Sequence, residues 1–179
     1  VNIRRVADEL GLVHRFMTTE AMNAIFRDSL ARNSNVCQGC FKTIYTLSLR
    51  IARDEGIPAI ATGLSRGQFF ETRLTPELFA DGSMTGRDLD QMVLAARKSY
   101  HQVKDAVTTH LATADLTDPK IFEDVQFIDI FRYLDVPVAE IYRTLDERGW
   151  KRPRDTGRST NCLINDFGNN LHTRRQGFH

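Results

Sequence analysis

Two thiols separated by two residues open a helical stretch at Val36-Cys37-Gln38-Gly39-Cys40-Phe41-Lys42. At a helix N-terminus the exposed amides and the helix dipole favour the thiolate, the form that binds soft metals and clusters. The one other cysteine, Cys162, lies in a polar turn after Pro153 and Gly157 rather than on a helical core face. Three thiolates suit a [4Fe–4S] cluster with one iron left open to substrate or sulfide, because purely structural clusters usually take four cysteines. Three cysteines with one of His14, His101, His110, His172 or His179 would complete a tetrahedral zinc site, although none of these histidines has motif spacing to a cysteine. A redox dithiol, or three ordinary buried cysteines, accounts for the same residues. Three is an odd number and too small for a disulfide scaffold.

A second candidate is the loop Gly63-Leu64-Ser65-Arg66-Gly67-Gln68, which follows a compact apolar run ending at Thr62. In open α/β sheets, ligands bind just outside the carboxyl ends of the strands, so this loop is a site by position. Arg66 is able to clamp a phosphate or carboxylate in a planar fork, or to remain a hydrated surface arginine. Asp155-Thr156-Gly157-Arg158-Ser159-Thr160-Asn161 offers hydroxyls and amides next to Cys162, in what is also ordinary turn chemistry. Lys42, two residues inside the helix from Cys40, reads as a solvated lysine in preference to a neutraliser of thiolate charge, and Trp150 as a packing anchor in preference to a base-stacking platform. Glu123, Asp124 and Asp129 have no paired spacing for acid–base work. No dinucleotide fingerprint or nucleophile elbow is present.

The elements that must hold these residues alternate between helix and strand. Ile3, Val6, Ala7 and Leu10 share a helical face stopped by Gly11; Val13 to Met17 reads as a strand; Thr18 or Thr19 caps a helix over about residues 20–32. The Cys-x-x-Cys helix, about residues 38–55, aligns Phe41, Ile44, Tyr45, Ser48, Ile51 and Ala52 and ends at Gly56. Ile57 to Thr62 reads as a buried parallel strand. Pro76 marks a helix start, and a long helix over about residues 86–111 carries Leu89, Met92, Val93, Ala96, Tyr100, Val103, Val107 and Leu111. The pattern breaks over Leu116 to Pro119, Val125 to Ile130 reads as a strand, and a last helix through Val138, Ile141, Tyr142 and Leu145 ends near Gly149. The order predicts an α/β fold. Residues 1–150 form its α/β domain, and residues 151–179 form a basic, turn-rich tail carrying Cys162.

The chain of 179 residues is long enough for one domain with a hydrophobic core. Its 24 basic and 23 acidic residues, net +1, give no broad electrostatic footprint for nucleic acid. No apolar run reaches the roughly 18 residues a membrane helix needs, and the first residues lack a signal-peptide layout, so a cytoplasmic protein is expected.

In order, Cys37-x-x-Cys40, a helix, a strand ending Ala61-Thr62-Gly63, then Glu71-Thr72, and later Gly149-Trp150-x-x-Pro153 leading to Cys162 resembles the PP-loop ATP pyrophosphatases. The layout is most similar to the cluster-containing tRNA 2-thiolation enzymes, with a looser likeness to N-acetyl sugar amidotransferases. The likeness spans most of residues 1–165. It implies a parallel sheet flanked by helices in the HUP, Rossmann-like manner, and an enzyme that cleaves ATP, with Mg, to AMP and pyrophosphate. A carbonyl or carboxylate is adenylated so that a sulfur or nitrogen donor can displace AMP. Cys37, Cys40 and Cys162 would hold a [4Fe–4S] cluster, with zinc as the alternative. Thr62, Gly63, Ser65, Arg66, Gln68 and Glu71 would face nucleotide or substrate. The Ser-Gly-Gly-x-Asp-Ser phosphate loop of that family is not among these residues, which implies that the chain is the C-terminal part of a longer protein. Gly63-Leu64-Ser65-Arg66-Gly67-Gln68 stands where the tRNA enzymes carry Gly-His-Asn-x-Asp-Asp, which shifts the expected substrate from tRNA toward a small or carrier-bound molecule. A homodimer is compatible with this layout. The competing expectation is a non-catalytic module in which zinc staples the basic turn to the Cys-x-x-Cys helix.

Overall fold

In the computed structural model of the chain, residues 2–33, 35–64, 85–151 and 163–177 are described. Helix α1 (Asn2–Glu9) is followed by α2 (Met22–Asn33), α3 (Cys37–Asp54) and strand β1 (Ala59–Thr62). Then come α4 (Gly86–Gln102), α5 (Ala106–His110), α6 (Ala114–Thr117), α7 (Ile121–Asp124), β2 (Gln126–Asp129), a 3-10 turn (Ile130–Arg132), α8 (Val138–Glu147) and α9 (Leu163–Gln176). The fold is mixed and helix-rich. The described residues contain a sheet of two parallel strands, with Ala59 opposite Gln126 and Thr62 opposite Asp129. No described helix is long and apolar enough to cross a membrane.

The centre of the molecule is α3. Its carboxyl half buries Leu49 and Ala52 against Leu116, Ile121, Phe122 and Val125, with Ile60 and Phe127 of the sheet packed on that cluster. Its amino half lies against α2 and α5, where Ile25, Val107 and Leu111 form a second cluster. Gly56, at φ +65°, turns the chain out of α3 toward β1 in a conformation that suits a residue without a Cβ. The helix bounds are close to those expected, and Tyr45 and Ala52 of the expected stripe are buried, while Phe41, Ser48 and Ile51 are only partly so. Ile44 is 52 % exposed, whereas Gly39, Lys42, Thr43 and Thr46 are buried. Gly39 meets the close passage of α2, and Lys42 is drawn in by acceptors on α5 and at the end of α4.

Three further differences have local causes. Val13 to Met17 is not a strand: no neighbouring strand supplies a ladder among the described residues, and Val13 is 88 % exposed. The segment is tied instead by Arg15 to Glu55 at 2.6 Å and by the Arg4 guanidinium lying over Phe16. The helix expected to run from 86 to 111 stops at Gln102, because Val103 turns to ψ 124° and Asp105 caps a new helix by accepting from Thr108 N at 2.9 Å. At its start, Thr85 and Asp88 form a reciprocal capping box. Finally, residues 163–176, within the stretch expected to be turn-rich, form helix α9.

Candidate functional site

The Cys-x-x-Cys turn is held from several sides. Val36 occupies the position before α3 with helical φ and ψ and offers no side-chain cap; Asn35 reaches over it, and its Oδ1 accepts from Cys37 N at 2.6 Å. Ser29 of α2 donates its hydroxyl to Asn35 O at 2.5 Å and accepts from Gly39 N at 3.1 Å. A Cβ at residue 39 would lie 2.9 Å from Ile25 Cγ2 and 3.0 Å from Ser29 Cβ, so glycine is what lets α2 approach this closely. Thr43 Oγ1 donates to Gly39 O at 2.9 Å, and from the opposite side Tyr100 of α4 donates its hydroxyl to Gln38 O. The two residues between the cysteines are thus fastened to α2 and α4. Cys37 and Cys40, three apart on the first turn and both partly buried, share one helix face.

A cavity of about 250 Å³ lies against this turn. Gln38, Gly39 and Tyr100 line it together with Asp28, Arg32 and Asp105. Asp28 accepts from Arg32 Nε at 2.7 Å and from Ala106 N at 3.1 Å, which together hold its carboxyl below the usual range.

Beside the cavity is a buried ion pair that the sequence reading missed. Lys42 is 2 % exposed, not solvated, and its ammonium donates to Asp105 Oδ2 at 2.7 Å, Val103 O at 2.6 Å and Thr108 Oγ1 at 3.1 Å. Three acceptors match the three donors of an ammonium, so the charge is spent on α5 and the end of α4 rather than on the thiols. Burial pushes the Lys42 pKa below its ordinary value, against the raising effect of Asp105.

The second half of the site is at the carboxyl ends of the strands. Thr62 Oγ1 donates to Asp129 Oδ1 at 2.5 Å, closing the end of the sheet across the register that pairs these residues. Asp129, to which no role was assigned from sequence, is buried and accepts both its other hydrogen bonds from Arg97 Nη2, at 3.2 and 2.9 Å. The Arg97 guanidinium also lies 4.4 Å from the Phe127 ring centroid. Its Nε is buried and finds no acceptor among the described residues, a deficit that costs about 1–3 kcal/mol. One signal for this pair was present in the sequence: Arg97 is four residues after Val93, on the face of α4 that otherwise turns inward.

Of the expected nucleotide-facing residues, Thr62 and Gly63 are at this strand end. A Cβ on Gly63 would meet Phe131 at 4.0 Å, an ordinary contact, so packing does not demand glycine there. Ser65, Arg66, Gln68, Glu71 and Cys162 lie outside the described residues. Among the described residues no three of His, Cys, Asp and Glu come together as a metal-binding group. His14, His101 and His110 therefore do not complete a set with Cys37 and Cys40. What the structure offers a metal or cluster is two cysteines on one braced turn, a fit to part of a thiolate set that Cys162 would extend. No protein-family model, no curated protein and no solved structure matches this chain.

Proposed function

We propose that the chain is the thiol-bearing, substrate-facing part of an ATP-dependent enzyme of PP-loop type, one that adenylates a substrate and passes sulfur or an amino nitrogen to it. The observation that carries this reading is the pair of cysteines on one face of the first turn of α3, braced through Gln38 and Gly39 to α4 and α2. Parallel strands whose carboxyl ends meet at Thr62 and Asp129 give the same domain a second surface of the kind nucleotides use, consistent with ATP and Mg at the Gly63 end.

In this reading Cys37, Cys40 and Cys162 hold a [4Fe–4S] cluster, which supplies an iron without a protein ligand for sulfide or substrate. Asn35, Ser29, Gly39 and Tyr100 keep the first two thiols at fixed spacing. Asp28 and Arg32 present one acceptor and one donor to a substrate in the cavity, suited to a small or carrier-bound molecule with both an amino or amide N–H and an acceptor oxygen. A cytoplasmic setting, where thiols stay reduced, suits this chemistry.

A second reading, a zinc-stapled accessory module without catalysis, is favoured by one observation: no Ser-Gly-Gly-x-Asp-Ser phosphate loop occurs in these 179 residues. The two are separated by purifying the chain without oxygen and assaying iron, sulfide and zinc. Iron and acid-labile sulfide in stoichiometric amounts support the enzyme. Stoichiometric zinc without sulfide supports the module.

A further inference from the structure

We infer that the outer face of α1 is the interface between two copies of this chain, which pair their α1 helices antiparallel about a two-fold axis. The surface takes no residue from either half of the candidate site. Its apolar stripe is Ile3, Val6, Ala7 and Leu10, spaced as one helix face, yet only Ala7 is buried: Ile3 is 56 % and Leu10 47 % exposed. Leu12, whose amide donates to Ala7 O at 2.8 Å, and Val13 extend this patch, and both are more than half exposed.

Charge identifies the partner. From Ile3 to Leu10 the chain runs apolar, basic, basic, apolar, apolar, acidic, acidic, apolar, an order that is unchanged when it is read backwards with the signs exchanged. Arg4 and Arg5 lie in the first turn of α1 and Asp8 and Glu9 in the last, so the charges run against the helix dipole. Neither acidic side chain forms an ion pair or hydrogen bond among the described residues. A second copy supplies what is missing. With the two-fold axis between Val6 and Ala7, Ile3 meets Leu10 of the partner subunit and Val6 meets the partner's Ala7. Arg4 and Asp8, one turn apart on one flank, then lie beside the partner's Asp8 and the partner's Arg4, and Arg5 and Glu9 repeat the exchange on the other flank. Each helix end thereby gains the charge that its dipole favours. A parallel pair would instead set Arg4 against the partner's Arg4.

Sedimentation equilibrium of the full chain, with reductant present, tests the interface. Two short helices bury little surface, so the wild type should dimerise reversibly with a Kd of about 10–100 µM. Arg4→Glu and Asp8→Arg should each weaken self-association by about tenfold, because each reversal enters the two-fold interface twice and turns attraction into repulsion. Mixed in equal amounts, the two variants should associate at least as tightly as the wild type, since opposite charges face each other again. Leu10→Ser should also weaken the dimer, whereas Glu123→Lys, a charge reversal on α7, should leave it unaltered. Far-UV circular dichroism establishes that each variant is folded; if either reversal is not, Leu10→Ser decides. A chain that stays monomeric up to about 1 mM, a dimer indifferent to both reversals or to Leu10→Ser, or a mixture of folded variants that stays monomeric would overturn the assignment.

Discussion

Among the described residues there are two buried cation–carboxylate pairs, and they differ in one respect. Lys42–Asp105 joins α3 to α5 and is complete: three donors, three acceptors. Arg97–Asp129 joins α4 to the end of β2 and is not, because Nε of Arg97 is left over. A buried polar group that is fully satisfied fixes geometry, whereas one left unsatisfied costs stability. The first pair thus reads as the brace behind the cysteine turn, and the second as the clasp at the end of the sheet.

Removing one partner from each pair is the strongest way to probe that contrast. Asp129→Ala leaves a sealed guanidinium without its carboxylate and releases Thr62, so urea denaturation should show a loss of about 3–5 kcal/mol. Lys42→Ala should cost less, about 2–3 kcal/mol, because the Asp105 side chain is 16 % exposed and keeps Thr108 N as a donor. Equal losses would erase the distinction between the two pairs.

The pH dependence of the complete pair has a definite sign. Burial lowers the folded-state pKa of Lys42 below 10.5, so between that lowered value and 10.5 the unfolded chain binds more protons than the folded one. The contribution of this group to stability therefore rises as pH climbs through the window and is reduced below it. The urea midpoint of the wild type, relative to Lys42→Met, should move in the wild type's favour as pH rises toward 10.5. A constant difference would contradict the burial cause.

Smaller effects are expected at the cysteine turn. Gly39→Ala sets a methyl against Ile25 and Ser29 and should cost about 1–3 kcal/mol, with loosened metal binding as its second readout. Ser29→Ala removes one donor and one acceptor and should cost about 1 kcal/mol.

What the sequence disclosed divides along the same line. The bounds of α3, the existence of β1 and β2 and the turn at Gly149 follow from periodicity and glycine placement, which are local signals. The pairs are not local. Lys42 meets Asp105 63 residues away, Arg97 meets Asp129 across 32, and Thr62 meets Asp129 across 67. A lysine two positions after Cys40 looks solvated until α5 is known to turn back over it. The break after Gln102 was hidden because Val103, Val107 and Leu111 continue the apolar spacing of α4, while Asp105, the cap that restarts the helix, is a single residue. That Cys37 and Cys40 share a face at the start of α3 was legible because it follows from spacing alone, and the bracing of that turn was not, because Ser29 and Tyr100 come from other helices.

The most direct test of the central claim is the metal content of the chain purified without oxygen. The account predicts a brown protein with absorption near the visible range, with iron and acid-labile sulfide in equal amounts and about four of each per chain. Both should be lost in Cys37→Ala, with most of the stability kept. A colourless protein with one zinc, whose loss in Cys37→Ala or Cys162→Ala unfolds the chain, would contradict it.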